Sequence, residues 1–197
     1  MDSVNVVADE ARATIYGFLA GVFGSHPTPD IVWAVCEMAE ALGVACPDYL
    51  SMPELDREYM ELFVVPNSRY VAPYESVFRD HWLLPATLKP GSNPGEASLK
   101  IKGLVMGEST LQVRHCYVQA GVFPGEELPD HIANELRFMA YLWSPEAEAL
   151  ADLRCKFCDE HILKWIGELR EKVAENDRLG FYVAAVQVAE AVVYDEL

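Results

Sequence analysis

Positive charge is scarce in this sequence: its 197 residues include 31 Asp and Glu but only 15 Lys and Arg, which gives a formal net charge of −16. Nucleic acids and anionic membrane surfaces are bound through Lys and Arg side chains that neutralise phosphates. The composition therefore predicts a protein that binds neither, while a cationic partner is compatible with it. The alternative is that the acids only keep the protein in solution.

No stretch of the sequence is apolar for long enough to cross a membrane. The longest apolar runs, at 15–24 and 183–193, fall short of the ~20 residues that a bilayer-spanning helix needs. The first residues, MDSVNVVADEAR, carry acids and lack the positively charged start of an export signal. With 51% apolar and 23% charged residues, the composition is that of a folded chain. We therefore expect a cytoplasmic protein with no stable membrane insertion.

Motifs of the common enzyme classes are also missing. The sequence contains no G-x-S-x-G, no P-loop and no G-x-G-x-x-G turn. Such turns expose a nucleophile or bring backbone N–H groups to a phosphate. We expect a protein that is not an enzyme, and an enzyme acting on a nucleotide or cofactor by other means is a weaker alternative.

Cysteines are few, and the five lie scattered at positions 36, 46, 116, 155 and 158. An odd number without an export signal predicts reduced thiols rather than a disulfide framework. Cys155, Cys158 and His161 lie near one face of a predicted helix, whereas a structural zinc site needs four ligands and no second C-x-x-C is present. His131 and Glu135, four residues apart, are a second candidate metal pair. A helical metal-binding protein using either set is the alternative hypothesis for the function, although Cys158 also fits an apolar core stripe.

The apolar residues recur with a helical period almost throughout the chain. Thr28 and Pro29 form a strong start signal, and Ser51 with Glu54 has the spacing of a capping box. No alternating run is long enough to predict a strand. We expect an all-α globule of about 8–10 helices. The predicted helices cover about 6–23, 28–42, 51–64, 75–84, 98–120, 131–143, 145–175 and 178–195.

Two breaks interrupt this helical pattern. The stretch PATLKPGSNPGE at 85–96 holds three prolines and two glycines, which is typical of a long loop. The second break, GVFPGEELPD at 121–130, is the best candidate for a hinge. The sequence thus predicts an N-terminal part, 1–123, and a C-terminal part, 124–197, packed as one domain.

The segment PDHIANELRFMAYL at 129–142 opens a predicted helix with an acid and a histidine side by side. Asp130 is a good N-cap, because its carboxylate accepts from the first N–H groups and is favoured by the helix dipole. Capping accounts for Asp130 and leaves His131 without an explanation. The cluster is therefore a candidate functional site.

Two long motifs resemble those of a known family. EYMELFVVPNSRYVAPYESVF at 58–78 resembles the E-Y-x-x-L-F … P-x-Y-E-S-V-Y stretch of the TorD/DmsD/NarJ-type chaperones. LPDHIANELRFMAYL at 128–142 is similar to their P-D-H-x-x-x-E-L-x-F-M motif, and the segment that begins FCDEHILKW at 157 is similar to their C-terminal helices. Ala72-Pro73 stands where the family often has two prolines.

The resemblance implies an all-helical, cytoplasmic chaperone. Members of the family bind the catalytic subunit of a molybdenum-cofactor oxidoreductase together with its twin-arginine leader, and they delay export until the cofactor is inserted. They occur as monomers and as domain-swapped dimers, which suits a hinge at 121–130. No resident cofactor is implied, and the sequence leaves open which oxidoreductase is the client. It also leaves open whether the molybdenum cofactor or a guanine nucleotide contacts the chain.

A twin-arginine leader presents two guanidinium groups followed by an apolar segment, so its receptor needs carboxylates beside an apolar groove. The candidate carboxylates are Asp130, Glu75 and Glu135, accompanied by His131. The motifs also bring Pro129 and Ser76 into the predicted site. Its predicted groove residues are Leu62, Phe63, Tyr74, Phe78 and Trp82. The alternative for Leu62, Phe63 and Phe78 is a place in the core.

Overall fold

The helical periodicity of the sequence is realised in a computed structural model, which describes residues 3–85, 98–123 and 128–196. The predicted all-α class is confirmed. Its helices are α1 (Ser3–Gly24), α2 (Pro29–Ala41), α3 (Met52–Tyr59), α4 (Glu75–Arg79), α5 (Glu108–Gln119), α6 (Ile132–Leu142), α7 (Ala151–Glu160), α8 (Ile166–Asn176) and α9 (Phe181–Tyr194). A π-helical turn, Met60–Val64, continues α3.

The core lies between α1, α6 and α9, each of which buries an apolar face. α1 packs along α6, while α9 packs against α8 and α2. Apolar residues at helical spacing in α3 and the π-helical turn are buried, as are those that run from α7 into α8. The first set is Leu55, Tyr59, Leu62 and Phe63, and the second is Cys158, Ile162, Trp165, Leu169 and Val173. The largest fully buried side chains are Trp165, Tyr16, Tyr182, Phe23, Phe157 and Phe181.

Two helix starts show how far local signals hold. Thr28 is the N-cap of α2, and its hydroxyl accepts from Ile31 N at 3.3 Å, as predicted. Ser51 is the N-cap of α3, but its side chain makes no capping hydrogen bond, so the predicted capping box lacks its Ser51 bond. The first start is therefore fixed by its cap, and the second depends on packing.

The prediction of no strand was wrong. A two-stranded antiparallel hairpin pairs β1 (His81–Pro85) with β2 (Ser98–Lys102), in a register that places Trp82 opposite Ile101. β1 takes the end of the helix predicted at 75–84, and β2 takes the start of the one predicted at 98–120. Most of the loop predicted at 85–96 lies outside the described residues, as do residues 124–127 of the predicted hinge.

The helix predicted at 145–175 is broken into four pieces. A 3-10 turn, Pro145–Leu150, leads into α7, and a second 3-10 turn, Ile162–Lys164, separates α7 from α8. The breaks fall at His161 (φ −116°, ψ −85°) and Trp165 (φ −138°, ψ −15°), whose backbones leave the helical region. Both side chains are buried against carboxylates of other helices, which explains why the regular helix is interrupted there.

The prediction of reduced thiols fails for one pair, because Cys36 and Cys46 form a disulfide. Their Cα atoms are 5.7 Å apart, inside the usual range for this bond. Gly43, at φ +68°, ends α2 in the left-handed region that favours glycine. Val44 N then donates to Ala39 O at 2.8 Å, which turns the chain back so that Cys46 meets α2.

In the described part of the chain, no helix is both long and apolar enough to span a membrane.

Candidate functional site: the paired motifs

The two motif segments, 73–76 and 129–132, lie side by side and are here called the paired motifs. Glu75 N donates to Asp130 O at 2.9 Å, and Ile132 N donates to Pro73 O at 2.9 Å. These bonds flank an antiparallel bridge between Tyr74 and His131. Segments far apart in sequence are thus joined backbone to backbone where α4 and α6 both begin.

Asp130 does not cap its own helix, contrary to the prediction. The N-cap of α6 is His131, whose Nδ1 accepts from Ala133 N at 3.1 Å. The Asp130 carboxylate instead accepts from Ser76 N at 3.0 Å and so satisfies an N–H group in the first turn of α4. Because Asp130 has no exposed surface, it holds the paired motifs together from inside.

Pro129 is buried as well, and its carbonyl oxygen accepts a hydrogen bond from the hydroxyl of Tyr117 at 3.0 Å. Tyr117 belongs to α5, so this bond fixes the start of the second motif segment to a third helix. Buried backbone carbonyls need such partners. The whole segment 129–132 is therefore anchored on both sides.

Glu75 and Glu135 are fully buried and form the centre of a polar cluster under the paired motifs. The Glu75 carboxylate pairs with the Arg79 guanidinium one turn along α4 and with His161 Nδ1 at 3.0 Å. The Glu135 carboxyl accepts from Trp165 Nε1 at 3.1 Å. Buried carboxyls of this kind are tolerated only when they are paired or protonated.

The protonation states follow from this burial. Burial, the adjacent Glu75 carboxylate and Asp130 all raise the pKa of Glu135 well above its usual range. This environment favours the neutral form of the Glu135 carboxyl, whose Oε1 is buried without a hydrogen-bond partner. Burial by itself lowers the pKa of His161, but its contacts with Cys116 and Glu75 outweigh burial and raise it to about 9.

The buried Glu75 carboxylate is held by two cations. Protonated His161 donates from Nδ1 to Glu75, and its Nε2 lies 3.8 Å from the Cys116 sulfur. The Arg79 guanidinium pairs with the same carboxylate. Such a cluster is costly to break, because removing one partner leaves an uncompensated buried charge.

The predicted groove residues are not brought together on one surface. Leu62, Phe63 and Phe78 are core residues, so the alternative given for them is the one observed. Trp82 is 43% exposed on β1. The half-buried residues at the paired motifs are Tyr74 and His131, whose rings meet edge to face with centroids 5.0 Å apart.

A cleft of about 540 Å³ between α5 and α7 leads from the surface to the cluster. His161 and Cys116 are among its lining residues, with Leu111, Glu108 and Glu160 exposed around them. Its lining combines the carboxylates of Glu108 and Glu160 with the apolar Leu111, and it includes Lys156, whose Nζ lies 3.8 Å from Glu160 Oε2. Sequence reasoning missed it, and the polar His161 and Glu160 near an apolar stripe were the only signal.

The candidate metal ligands are engaged elsewhere. His131 caps α6, Glu135 binds Trp165, and His161 binds Glu75. Cys158 is buried and Cys155 is exposed. Within the described ranges, no group of three or more His, Cys, Asp and Glu side chains could hold a metal ion. The two ligand sets of the metal hypothesis are therefore not assembled.

Comparison with known proteins places the chain in a family. A family model described as the nitrate reductase delta subunit matches residues 32–171, and the chain belongs to this family. The chaperone protein TorD of Vibrio cholerae is 25% identical over 73% of this chain, but the match spans only 60% of that protein. TorD of Shewanella pealeana is 27% identical, over 91% of this chain and 85% of the relative.

The fold has a solved counterpart. The crystal structure of a protein described as a redox enzyme maturation protein, from Archaeoglobus fulgidus, superposes with a TM-score of 0.53 and covers 93% of both chains at 21% identity. The predicted TorD/DmsD/NarJ-type family is confirmed. The relatives are named as chaperones, which confirms the prediction that the chain is not an enzyme.

Proposed function

We propose that this chain is a cytoplasmic chaperone for the catalytic subunit of a molybdoenzyme, and that it reads the precursor's twin-arginine leader beside the paired motifs. It keeps the precursor from export until the cofactor is inserted. The observation that carries the proposal is the joining of two distant family motifs by backbone hydrogen bonds, with Tyr74 and His131 at the joint. No resident cofactor is part of it.

The buried carboxylates have a positioning role in this proposal. Asp130, Glu75 and Glu135 are fully buried, so a peptide on the surface does not reach them. From the interior, they fix the positions of the two segments of the paired motifs. Among the predicted residues, Tyr74 and His131 are the ones at the joint that can touch a client.

The arginines of the leader require exposed carboxylates nearby. Glu108 and Glu160 line the cleft between α5 and α7, and exposed Leu111 lies with them. A guanidinium group can bind a carboxylate through two parallel hydrogen bonds, which an ammonium group cannot do. The apolar part of the leader then follows Leu111. This arrangement favours Arg-Arg over Lys-Lys.

The test is the binding of synthetic leader peptides, one with its Arg-Arg pair and one with Lys-Lys, measured by fluorescence anisotropy. We expect Tyr74→Ala, His131→Ala and Glu160→Gln each to weaken binding of the Arg-Arg peptide by about tenfold. Tyr194→Ala, at a tyrosine that is 54% exposed on α9, is the matched control. Equal binding of both peptides, or wild-type affinity in all three variants, would refute the proposed site.

The client class is tested separately. Wild-type and His131→Ala proteins serve as parallel baits in the native host, and captured proteins are read by mass spectrometry. A molybdoenzyme precursor with its leader intact, captured by wild type and lost with the variant, is the expected result. If both baits retain the precursor, the chaperone function stands and the site is wrong.

A further inference from the structure

A second groove lies away from the paired motifs, between one face of α2 and the segment 44–52 that follows it. It encloses about 770 Å³. Pro29, Val32, Trp33, Cys36 and Glu40 line its α2 side at helical spacing. The facing wall includes Val44, Asp48, Tyr49 and Leu50. None of these residues belongs to the paired motifs or to the α5–α7 cleft.

The two walls are held in place covalently. The Cys36–Cys46 disulfide joins α2 to the segment that forms the other wall, across a sequence separation of 10 residues. The left-handed turn at Gly43 brings the wall back against α2. A groove fixed in this way exists before a ligand arrives, so binding loses little free energy to ordering the site.

Exposed aromatic side chains stand on both walls. Trp33 is 66% exposed on α2, and Tyr49 is 85% exposed on the facing segment. Trp and Tyr are the residues most enriched among those that dominate binding energy in protein interfaces. Their faces also attract Lys and Arg side chains through cation–π interactions. Two such residues flanking one groove fit a peptide that carries positive charge.

The stretch of chain that forms the groove carries charge of one sign. Between Arg12 and Arg57 the sequence contains no Lys or Arg, whereas six acids occur there: Asp30, Glu37, Glu40, Asp48, Glu54 and Asp56. Glu40 and Asp48 line the groove itself, and no base does. A second copy of this chain is a poor occupant, because its own net charge is −16 and like surfaces repel.

We propose that this groove binds a cationic, apolar linear peptide segment of a partner protein. Lys or Arg side chains of the segment lie against Trp33 and Tyr49 and pair with Glu40 and Asp48. Its apolar side chains contact Val32 and Leu50 between them. The proposal goes beyond leader recognition at the paired motifs, since it assigns a separate site, lined by residues of α2 and of the segment 44–52.

The experiment uses the full chain and two labelled peptides, one of alternating Arg and Leu and one with Glu in place of each Arg. Fluorescence anisotropy is measured at low and high salt. We expect saturable binding of the Arg peptide that weakens with salt, and no binding of the Glu peptide. Trp33→Ala and Tyr49→Ala each weaken binding by about tenfold or more, and Glu40→Gln with Asp48→Asn reduces the salt dependence.

The matched control is Phe123→Ala, at an aromatic residue that is 81% exposed and absent from the groove lining; it leaves binding unchanged. Because the substituted side chains are on the surface, the variants keep the wild-type unfolding midpoint. Wild-type affinity in both Trp33→Ala and Tyr49→Ala, equal binding of the two peptides, or no saturable binding overturns the proposal. A wild-type dimer that Trp33→Ala dissociates also overturns it, since a second copy then fills the groove.

The outcome is independent of the leader site. Trp33→Ala keeps its affinity for the Arg-Arg leader peptide if the two sites are separate. If wild type fails to bind the leader at all, the groove measurement still stands by itself. Loss of leader binding in Trp33→Ala shows one shared site and overturns the separate groove.

Discussion

The paired motifs and the α2 groove join their parts in opposite ways. At the paired motifs, residues 54 positions apart are connected through the fully buried Asp130 carboxylate. At the α2 groove, residues 10 positions apart are joined by a disulfide. The first arrangement puts its acids inside and leaves little side-chain surface outside, while the second leaves Trp33 and Tyr49 exposed.

The comparison shows that residues recognised by a family motif need not be the ones exposed to a partner. Most residues of the paired motifs are buried and hold the fold, so a family resemblance through them reports architecture first. The α2 groove has no motif that sequence reasoning singled out, yet its aromatic side chains are available to a partner. A family motif can therefore consist mostly of buried residues that hold the fold, while a surface without a motif can expose side chains to a partner.

The largest expected effect distinguishes two glutamates of the same cluster. Glu75→Gln removes the charge that pairs with Arg79 and His161, so we expect a loss of roughly 3–5 kcal/mol in the free energy of unfolding. Burial favours the neutral form of Glu135, so Glu135→Gln, which puts a neutral amide in its place, should change stability at pH 7 by less than about 1 kcal/mol. Urea denaturation measures both, with the exposed Glu148→Gln as control. Equal losses in the two variants would show that the assigned protonation states are wrong.

The next prediction concerns pH. The pKa of His161 is raised to about 9 in the folded chain, so its stabilising contribution is complete below about pH 6.5 and is lost as pH rises through 9. The raised pKa of Glu135 also makes the folded chain less stable as pH rises, and this loss begins at a lower pH because the usual pKa of a glutamate is lower than that of a histidine. The free energy of unfolding, measured by urea denaturation, should therefore fall by a few kcal/mol between about pH 6.5 and 9.5.

The Glu135→Gln background isolates the part that belongs to His161. Adding His161→Gln to that background should flatten the remaining slope between pH 6.5 and 9. His115→Gln, at an exposed histidine on α5, should keep the slope. A slope that persists without His161 would assign the titration to another group.

Breaking the α2 groove should cost less than breaking the cluster. Reduction of Cys36–Cys46, or the Cys36→Ser/Cys46→Ser variant, should lower the free energy of unfolding by roughly 2–3 kcal/mol, as expected for a short closed loop. Cys155→Ser, at an exposed thiol, should change nothing. Thiol titration of the denatured, unreduced protein should find three thiols of the five cysteines; five would mean that the bond does not form.

The smallest effects are expected at the helix starts that border the groove. Thr28→Ala removes an observed cap and should cost about 1 kcal/mol, whereas Ser51→Ala removes no capping bond and should cost less than about 0.5 kcal/mol. Thermal unfolding of the two variants gives the comparison. A larger loss for Ser51→Ala would show that its hydroxyl caps α3 in solution.

Local patterns predicted the features that depend on neighbouring residues. The apolar faces of α3, α6 and α8 and the cap at Thr28 follow from spacing and from a single turn of chain. The errors arose where distant residues decide the local structure. His161 and Trp165 leave the helix to reach Glu75 and Glu135, and Asp130 serves α4 rather than α6. Cys46 meets Cys36 only because Gly43 reverses the chain.

The site shows the same limit. The resemblance identified Tyr74 and His131, but the spacing of the motifs could not show that Asp130, Glu75 and Glu135 are buried. Burial is set by packing of α4, α5, α6 and α7 around them. The predicted division at 123 and 124 stays a prediction.

The capping of α4 by Asp130 also bears on the order in which the nascent chain can fold. The N–H group of Ser76 gains its carboxylate only after 54 further residues have been added. At about 5–20 residues per second, that delay amounts to roughly 3–11 s on the ribosome. During this interval the first motif is already synthesised, but the second is not. The start of α4 therefore lacks the Asp130 carboxylate until the second motif has been added.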